Sequence, residues 1–258
     1  MDYQAITLTV RDSIATITLN RPDMMNALNR QMRAEITDAV KTAEAQARVI
    51  ILTGAGRAFC SGQDLADGGS AANLDMEGTL NGEYVPMLKA IFDCKVPTIS
   101  AVNGPAAGAG ANLALAADVV IAAESAYFVQ AFTRIGLIPD AGGTYWLPRQ
   151  VGAAKAMGAA LFADKVMAKD AERWGMIYET APDDDFVAHI QARAAQLAQG
   201  PTIAYGELKA AIRGSFENTL DQQLALEAKL QGICGRTHDF QEGVTAFLEK
   251  RNPRYEGR

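Results

Sequence analysis

The chain has 258 residues, of which 49% are hydrophobic and 21% charged, and its formal net charge is −6 at pH 7. This length can bury a full hydrophobic core, and the composition is typical of a globular protein rather than a disordered one. The acidic balance, without a long run of Lys or Arg, argues against nucleic acid as a partner. Three cysteines that form no CxxC pair and have no histidine at metal-ligand spacing predict reduced thiols in the cytoplasm and no metal site.

The opening of the chain and its most apolar run predict neither a secretory signal nor a membrane span. The opening MDYQAITLTV lacks a basic stretch followed by an apolar core, so we expect no secretory signal. The most apolar long run, residues 105–123, is built from Ala and Gly and contains Asn112 and Asp118. It therefore predicts a buried helix and strand, not a membrane span.

The first fifth of the chain predicts a hairpin, a helix and a buried strand. Apolar and polar residues alternate over Ala5–Val10 and Ile14–Leu19, which indicates two strands joined by a tight turn. Apolar residues then recur at helical spacing from Ala27 to Ala47, and Val49–Thr53 is fully apolar, as in a central strand.

A glycine-rich loop, GAGRAFCSGQDL at 54–65, follows that strand. It begins with G-x-G, but Phe59 stands where a dinucleotide-binding loop needs its third glycine, and no Gly-Lys-Ser/Thr follows. What remains is a corner of small residues around Gly62. The next segment, 67–75, is small, polar and glycine-rich, and we expect it to be mobile; a helix is predicted from about 77 to 93.

The central segment predicts a strand, a sharp turn and a helix N-terminus. Thr98–Val102 is apolar and β-branched, 103–105 is Asn-Gly-Pro, and Gly108 and Gly110 open a segment of helical spacing. Small residues at such a corner let a ligand approach the backbone, and the N–H groups of a first helical turn have no partner within the helix. The corner is thus a candidate oxyanion site, although small residues can equally serve to pack the helix on the strand.

A second glycine-rich turn, 136–143, carries one carboxylate, Asp140, between a proline and a glycine pair. An aspartate in this context is often a turn former or a helix N-cap. Its neighbours Phe132, Leu137 and Ile138 are apolar, however, so the carboxyl can lie in a pocket that disfavours its charge and can exchange protons near neutrality.

Beyond this turn the chain is mainly helical, with one extended piece at 176–180. The predicted helices span 145–150, 153–162, 168–174, 183–199, 202–212, 219–233 and 238–250. Since strands alternate with helices only in the earlier part, we predict an α/β core at 1–195 and a helical C-terminal region at 196–258.

Four segments, with the end of the chain, resemble the enoyl-CoA hydratase/isomerase (crotonase) family in order and spacing. They are NRPDMMNAL (20–28), GRAFCSGQDL (56–65), PTISAVNGPAAGAGANLALAADVVIA (97–122), GLIPDAGGT (136–144) and AFLEKRNPRYEGR (246–258). The resemblance implies a crotonase-like spiral of strand–strand–helix units with a helical trimerisation region, a homotrimer or dimer of trimers, and an acyl-CoA thioester substrate. It implies no cofactor, because coenzyme A is part of the substrate.

The resemblance also implies the roles of individual residues. The backbone N–H groups of Gln63 and Ala109 would hold the thioester oxygen, and Lys250 would approach a CoA phosphate, although it can equally be a solvated helix end. The residues at positions that contact CoA or the acyl group in the family are Met25, Ala27, Ala58, Ser61, Asp64, Leu65, Gly108, Asn112, Phe132 and Lys250.

The departures from the family pattern bear on the reaction. Hydratases of the family use two glutamates, and the matching positions here are Asn112 and Phe132, neither of which can act as a general base. Asp140 remains as the catalytic candidate, and some isomerases of the family carry an aspartate at its position. The segments FVQAFTRIGLIPDAGGT, AAGAGANLAL and CSGQDL are most similar to the branch that converts ring-1,2-epoxyphenylacetyl-CoA to its oxepin in phenylacetate degradation.

Three functions therefore stay open. The first is a CoA-thioester isomerase that forms the oxepin or shifts a 3,4 double bond to the 2,3 position, the second is a hydratase in which Asp140 alone handles water, and the third is a non-catalytic acyl-CoA-binding subunit. We expect Cys60 to be a structural thiol, and His189 and His238 to be surface or interface residues. Phe132, with Tyr145 and Trp146, could shape an aromatic acyl pocket or simply pack in the core.

Overall fold

A computed structural model describes residues 2–67 and 75–258 of the chain. Its strands are β1 (Ile6–Arg11), β2 (Ile14–Leu19), β3 (Val49–Gly54), β4 (Thr98–Val102), β5 (Ala106–Ala107), β6 (Val119–Ala123), β7 (Tyr127–Val129), β8 (Val166–Met167) and β9 (Glu179–Ala181). Its α-helices are α1 (Arg30–Glu44), α2 (Met76–Thr79), α3 (Val85–Phe92), α4 (Ala109–Leu115), α5 (Gly143–Phe162), α6 (Ala168–Arg173), α7 (Phe186–Ala198), α8 (Thr202–Gly214), α9 (Leu220–Cys234) and α10 (His238–Leu248). Most of the segment expected to be mobile, 68–74, lies outside the described residues.

The main sheet has the strand order β1-β2-β3-β4-β6-β9. The predicted hairpin is confirmed: β1 and β2 are antiparallel, and Asp12 and Ser13 turn the chain with positive φ angles. The other neighbouring pairs are parallel. Residues 49–52 and 98–102 are buried throughout, as expected for parallel strands covered on both faces, and α1 and α7 both pack on β2 and β3.

Helix α1 begins at Arg30, three residues later than the apolar spacing predicts. Asn29 caps it by accepting a hydrogen bond from the Met32 N–H at 2.9 Å. The residues before it form a 3₁₀ turn at Pro22–Met24 and an extended piece that pairs with the loop after β3, where Leu28 lies opposite Gln63. That pairing takes up residues whose spacing alone would suit a helix.

A second, smaller sheet has the order β5-β7-β8 and was not predicted. Its strands are two or three residues long, which is too short to show an alternating pattern of apolar and polar residues. Its strand β5 also lies beside Cys60 of the loop after β3. Since β5 leads directly into Gly108 and α4, this small sheet fixes where α4 begins.

The helical C-terminal region packs on the rest of the chain. Lys209 and Arg213 of α8 form ion pairs with Asp118 at 2.8 and 2.6 Å. The final residues are held at the amino-terminal end of β3, where Arg48 donates to the Tyr255 carbonyl oxygen at 3.0 Å.

Helix α5 is one helix with a break at Gly152, which matches the two helices predicted there. Within the described ranges, no helix is both long enough and apolar enough to cross a bilayer.

Candidate active site

The two glycine-rich corners predicted from the sequence meet in space. Gly62, in the loop after β3, has a φ of +95°, and a methyl group built on it would lie 2.7 Å from the carbonyl oxygen of Ala107 and 3.4 Å from the amide nitrogen of Ala109. Gly108, at the start of α4, has a φ of +52°. Because Gln63 follows Gly62 and Ala109 follows Gly108, the structure brings the two predicted backbone donors to one place.

Neither donor has a main-chain partner among the described residues. Ala109 is the first residue of α4, so its N–H has no acceptor within the helix. Across residues 2–67 and 75–258, neither the Ala109 nor the Gln63 N–H donates to another backbone carbonyl in the loops and turns. Two free N–H groups at one corner can stabilise a developing oxyanion. We call Gly62, Gln63, Gly108 and Ala109 the donor corner.

Two chain segments line the approach to the donor corner. The Ser61 N–H donates to the Met25 carbonyl at 3.0 Å, the Leu28 N–H to Gly62 at 2.8 Å, and the Asp64 N–H to Leu28 at 3.1 Å. The pairing gathers six of the predicted contact residues, namely Met25, Ala27, Ala58, Ser61, Asp64 and Leu65. The carboxylate of Asp64 forms an ion pair with Arg21 at 2.9 Å, so it holds the loop and is not a free base.

Tyr84 and Arg33 belong to the site but were not predicted. The side-chain oxygen of Gln63 accepts hydrogen bonds from the Tyr84 hydroxyl and, at 2.9 Å, from the Arg33 guanidinium. Arg33 is also paired with Glu83 at 2.6 Å. Burial raises the pKa of Tyr84, the charge of Arg33 opposes that rise, and the charge of Asp140 adds to it. No local pattern in the sequence links these residues.

Asn112 and Phe132, at the positions of the family's glutamates, have non-acidic roles. Phe132 is buried, and its ring lies 3.8 Å from the position of a methyl group built on Gly108. Asn112 is fully buried; it donates to the Asp140 main-chain carbonyl at 2.7 Å and accepts from the Gln130 side chain at 2.8 Å. Neither side chain can remove a proton from a substrate.

Asp140 lies in the turn before α5, and its carboxyl is held in a poorly solvated place. Burial raises its pKa from 3.8 to about 6, against a smaller opposing effect of its own backbone N–H. Its Oδ1 atom is buried and accepts no hydrogen bond from the part of the chain that the structure describes. The neighbouring carboxylates of Asp64 and Glu83 are ion-paired by contrast, so Asp140 is the group placed to exchange a proton near neutrality.

The remaining candidates lie away from the donor corner, although the Trp146 indole N–H donates to the Ala141 carbonyl oxygen at 3.3 Å, in the turn of Asp140. Tyr145 and Trp146 pack around Phe92 and line a groove of about 350 Å³ at the C-terminal end of α4, whereas Ala109 is at its N-terminal end. Lys250 follows α10, and the tail after it is fixed at Arg48, at the far end of β3. The structure of this chain thus does not bring Tyr145, Trp146 or Lys250 to the donor corner.

Cys60, His189 and His238 were expected to have no catalytic role. Burial raises the pKa of Cys60 to about 12, so its thiol is not a nucleophile near neutrality. His189 lies 2.8 Å from Glu179, and His238 begins α10. In the described ranges there is no cluster of three or more side chains that could hold a metal ion.

Comparisons with known proteins agree over almost the whole chain. A family model described as enoyl-CoA hydratase/isomerase matches residues 9–258. The chain is 59% identical over 258 residues to a Rhodobacter capsulatus protein named probable enoyl-CoA hydratase, with full coverage of both chains. It is 45% identical to the 1,2-epoxyphenylacetyl-CoA isomerase of Escherichia coli, over 96% of this chain and 97% of that one. A solved structure of a putative enoyl-CoA hydratase/isomerase from Mycobacterium abscessus superposes with a TM-score of 0.93 at 36% identity, over 98% and 100% of the two chains.

Proposed function

The chain belongs to the enoyl-CoA hydratase/isomerase family, whose members are enzymes that act on CoA thioesters, and we propose that this member is an isomerase. The observation that carries the proposal is the pairing of the donor corner with one unpaired carboxyl, that of Asp140. A double-bond shift needs one group that takes a proton and returns it, and Asp140 has a pKa suited to both steps.

The proposed reaction begins with the thioester oxygen between the N–H groups of Gln63 and Ala109. The Asp140 carboxylate removes a proton from the carbon next to the thioester carbonyl, and the electron pair moves onto that oxygen. Each N–H donor then lowers the barrier by on the order of 3 kcal/mol. The Asp140 carboxylic acid returns the proton two carbons farther along the chain, so that a 3,4 double bond becomes a 2,3 double bond and no atom is gained or lost.

We further propose that the acyl group is ring-derived, as in ring-1,2-epoxyphenylacetyl-CoA, which would be converted to the oxepin in phenylacetate degradation. The likeness to the Escherichia coli isomerase supports this substrate class, as does the Phe132 ring beside Gly108, which offers an apolar surface to the acyl group. Asp140 would assist the opening of the epoxide.

The proposal extends to the assembly and its place in the cell. We propose that the protein is a cytoplasmic homotrimer or dimer of trimers. In this assembly, Lys250 of one subunit reaches the phosphate of a CoA bound to a neighbouring subunit. Large apolar side chains exposed on the C-terminal helices support such an assembly; among them Leu220 is 74%, Phe247 80% and Leu248 74% exposed.

A hydratase is the alternative, favoured by the name of the Rhodobacter capsulatus relative. Hydration requires a group that activates water. Asn112 gives its N–H₂ to the Asp140 carbonyl and Phe132 is apolar, so Asp140 would have to do this alone.

One pair of assays separates the functions. A 3-enoyl-CoA should be converted to the conjugated 2-enoyl-CoA, with a gain in ultraviolet absorbance, much faster than crotonyl-CoA is hydrated. Asp140→Asn should lower the isomerisation kcat by about 10³-fold, as expected for a lost acid/base group. Asp93→Asn, an exposed aspartate at the end of α3, is the control and should keep the wild-type rate.

The proposal is wrong if Asp140→Asn isomerises at the wild-type rate, or if crotonyl-CoA hydration is the faster reaction. Tight CoA binding without turnover of a 3-enoyl-CoA, crotonyl-CoA or the ring epoxide would instead favour a non-catalytic subunit.

A further inference from the structure

Two buried amides form a chain of hydrogen bonds that ends on the main chain of Asp140. Gln130 is 3% exposed and Asn112 fully buried. The Gln130 N–H₂ donates to the Asn112 oxygen at 2.8 Å, and the Asn112 N–H₂ donates to the Asp140 carbonyl oxygen at 2.7 Å. Because Gln130 can serve the Asn112 oxygen only as a donor, it fixes which way the Asn112 amide points.

The turn that receives this bond is in an unfavourable conformation. Ala141 has a φ of 48° and Gly142 a φ of 82°, so two consecutive residues are left-handed, and the first of them is not glycine. A left-handed alanine costs about 1–2 kcal/mol, so other contacts must hold it. Two such contacts are hydrogen bonds to the Asp140 carbonyl oxygen. One comes from the Gly143 N–H at 2.8 Å and the other from the Asn112 side chain.

Asn112 also fills the space beneath the turn. A methyl group built on Gly143 would lie 2.4 Å from the Asn112 side-chain nitrogen, so the turn rests on the amide itself. Asn112 lies on α4 three positions after Ala109, and residues three apart share a helix face. One turn of α4 therefore separates the Ala109 N–H of the donor corner from the Asn112 side chain, which supports the turn of Asp140.

The amide chain leaves one of its own oxygen atoms unpaired. The Oε1 atom of Gln130 is buried and has no hydrogen-bond partner in residues 2–67 and 75–258. A buried acceptor without a partner costs about 1–3 kcal/mol. An apolar side chain at 130 would remove this acceptor, but it would leave the buried Asn112 oxygen without its donor and could not orient the Asn112 amide.

We propose that Asn112 and Gln130 are positioning residues that hold the 139–143 turn so that the Asp140 carboxyl faces the donor corner in a desolvated place. This inference rests on the proposed role of Asp140. The family position that carries a glutamate in hydratases would then serve, in this chain, to support the acid rather than to act on water.

The test uses two near-isosteric variants of the full-length protein, Asn112→Leu and Gln130→Met, and the matched control Gln150→Met, a partly buried glutamine of α5 outside the donor corner. We expect kcat for the 3-enoyl-CoA to fall about 100-fold in Asn112→Leu and about tenfold in Gln130→Met, with KM within about threefold of wild type. Gln150→Met should keep the wild-type kcat. Gln130→Met keeps the test decisive if Asn112→Leu fails to fold.

A pH profile gives a readout that a merely structural role would not move. The other titratable and charged groups at the donor corner are Tyr84, Cys60 and the ion pairs Arg33–Glu83 and Arg21–Asp64. Burial raises the pKa values of Tyr84 and Cys60 well above neutrality, so kcat/KM between about pH 5 and pH 9 reports Asp140. In both amide variants the rise of kcat/KM with pH should move to lower pH, since a loosened turn exposes the carboxyl to water.

A double-mutant cycle separates this inference from the proposed function. In the Asp140→Asn background the two amide substitutions should change the residual rate by less than about twofold, because they act through Asp140. Equal losses in both backgrounds, a wild-type pH profile, or a raised KM with unchanged kcat would overturn the inference. If Asp140→Asn itself turns over at the wild-type rate, it is the proposed function that fails.

Discussion

The donor corner and the turn at 139–143, which we call the acid turn, are the two halves of the candidate site, and they are built in different ways. The donor corner consists of main-chain amides, and its geometry depends on positions where no side chain fits, such as Gly62. The acid turn depends on one side chain, Asp140, whose pKa is raised by burial and whose main-chain carbonyl accepts from Asn112, which is in turn held by Gln130. Activity should therefore tolerate most side-chain changes at the donor corner but not added atoms beside its backbone. At the acid turn, even isosteric side-chain changes should lower activity.

Adding one methyl group to the donor corner should have a large effect on the rate, close to that of Asp140→Asn. In Gly62→Ala the new Cβ would meet the Ala107 carbonyl oxygen at 2.7 Å in a left-handed backbone, so the loop must shift and carry the Gln63 N–H with it. We expect kcat for the isomerisation to fall by about 10²–10³-fold, as for the loss of an oxyanion donor.

The control for this variant is Gly152→Ala, at the break of α5. Gly152 has a φ of +75° but open space where the methyl group would be, so it carries the backbone strain without the collision. Steady-state kinetics, with thermal unfolding of both variants, make the comparison. Similar kcat losses in the two variants would mean that strain, not displacement of the donor, lowers the rate.

The same contrast explains what the sequence could predict. Gly62 and Gly108 stand in short local patterns that follow predicted strands, and the structure places them together as expected. The hairpin and the buried strands β3 and β4 have equally local signals. Asn112 and Asp140 were singled out individually, but the bond between them joins residues 28 positions apart and leaves no periodic trace in the sequence.

Other features escaped prediction for related reasons. Tyr84 and Arg33 meet the Gln63 side chain from 21 and 30 positions away in the chain. The strands of the small sheet are too short to produce an alternating pattern. Helix α1 starts late because the segment before it pairs with the loop at Gln63, and a long-range pairing of this kind overrides local helical spacing.

An effect of intermediate size concerns folding stability, because keeping the Asp140 carboxyl out of water costs free energy in the folded state. The pKa of Asp140 is about 6 in the folded chain against an ordinary 3.8, so between these values the folded state retains a proton that the unfolded state has released. The wild-type protein therefore loses stability as the pH rises from about 4 to 6, and the loss persists above pH 6.

Asp140→Asn removes this ionisation and should make the folded protein more stable than wild type above pH 6. The pKa difference corresponds to roughly 3 kcal/mol, and partial solvent exposure of the carboxyl reduces this to about 1–2 kcal/mol. Urea unfolding at about pH 4 and pH 8, at one protein concentration, measures it: the gain should be present at the higher pH and vanish at the lower. A gain of equal size at both would show that ionisation of Asp140 is not its source.

The smallest effect on catalysis should come from Cys60, the side chain packed most closely under the donor corner. A methyl group built on Gly110 would lie 2.7 Å from the Cys60 sulfur, so the thiol supports the first turn of α4. Because its pKa is about 12, only about one molecule in 10⁴ carries the thiolate at pH 8. Cys60→Ala should therefore keep kcat within about threefold of wild type and lower stability by about 1 kcal/mol through the small cavity it leaves. A loss approaching that of Asp140→Asn would make the thiol a participant in the chemistry. A roughly tenfold loss with unchanged stability would instead mean that packing under α4 sets the position of the Ala109 N–H, so that side chains shape the donor corner as they shape the acid turn.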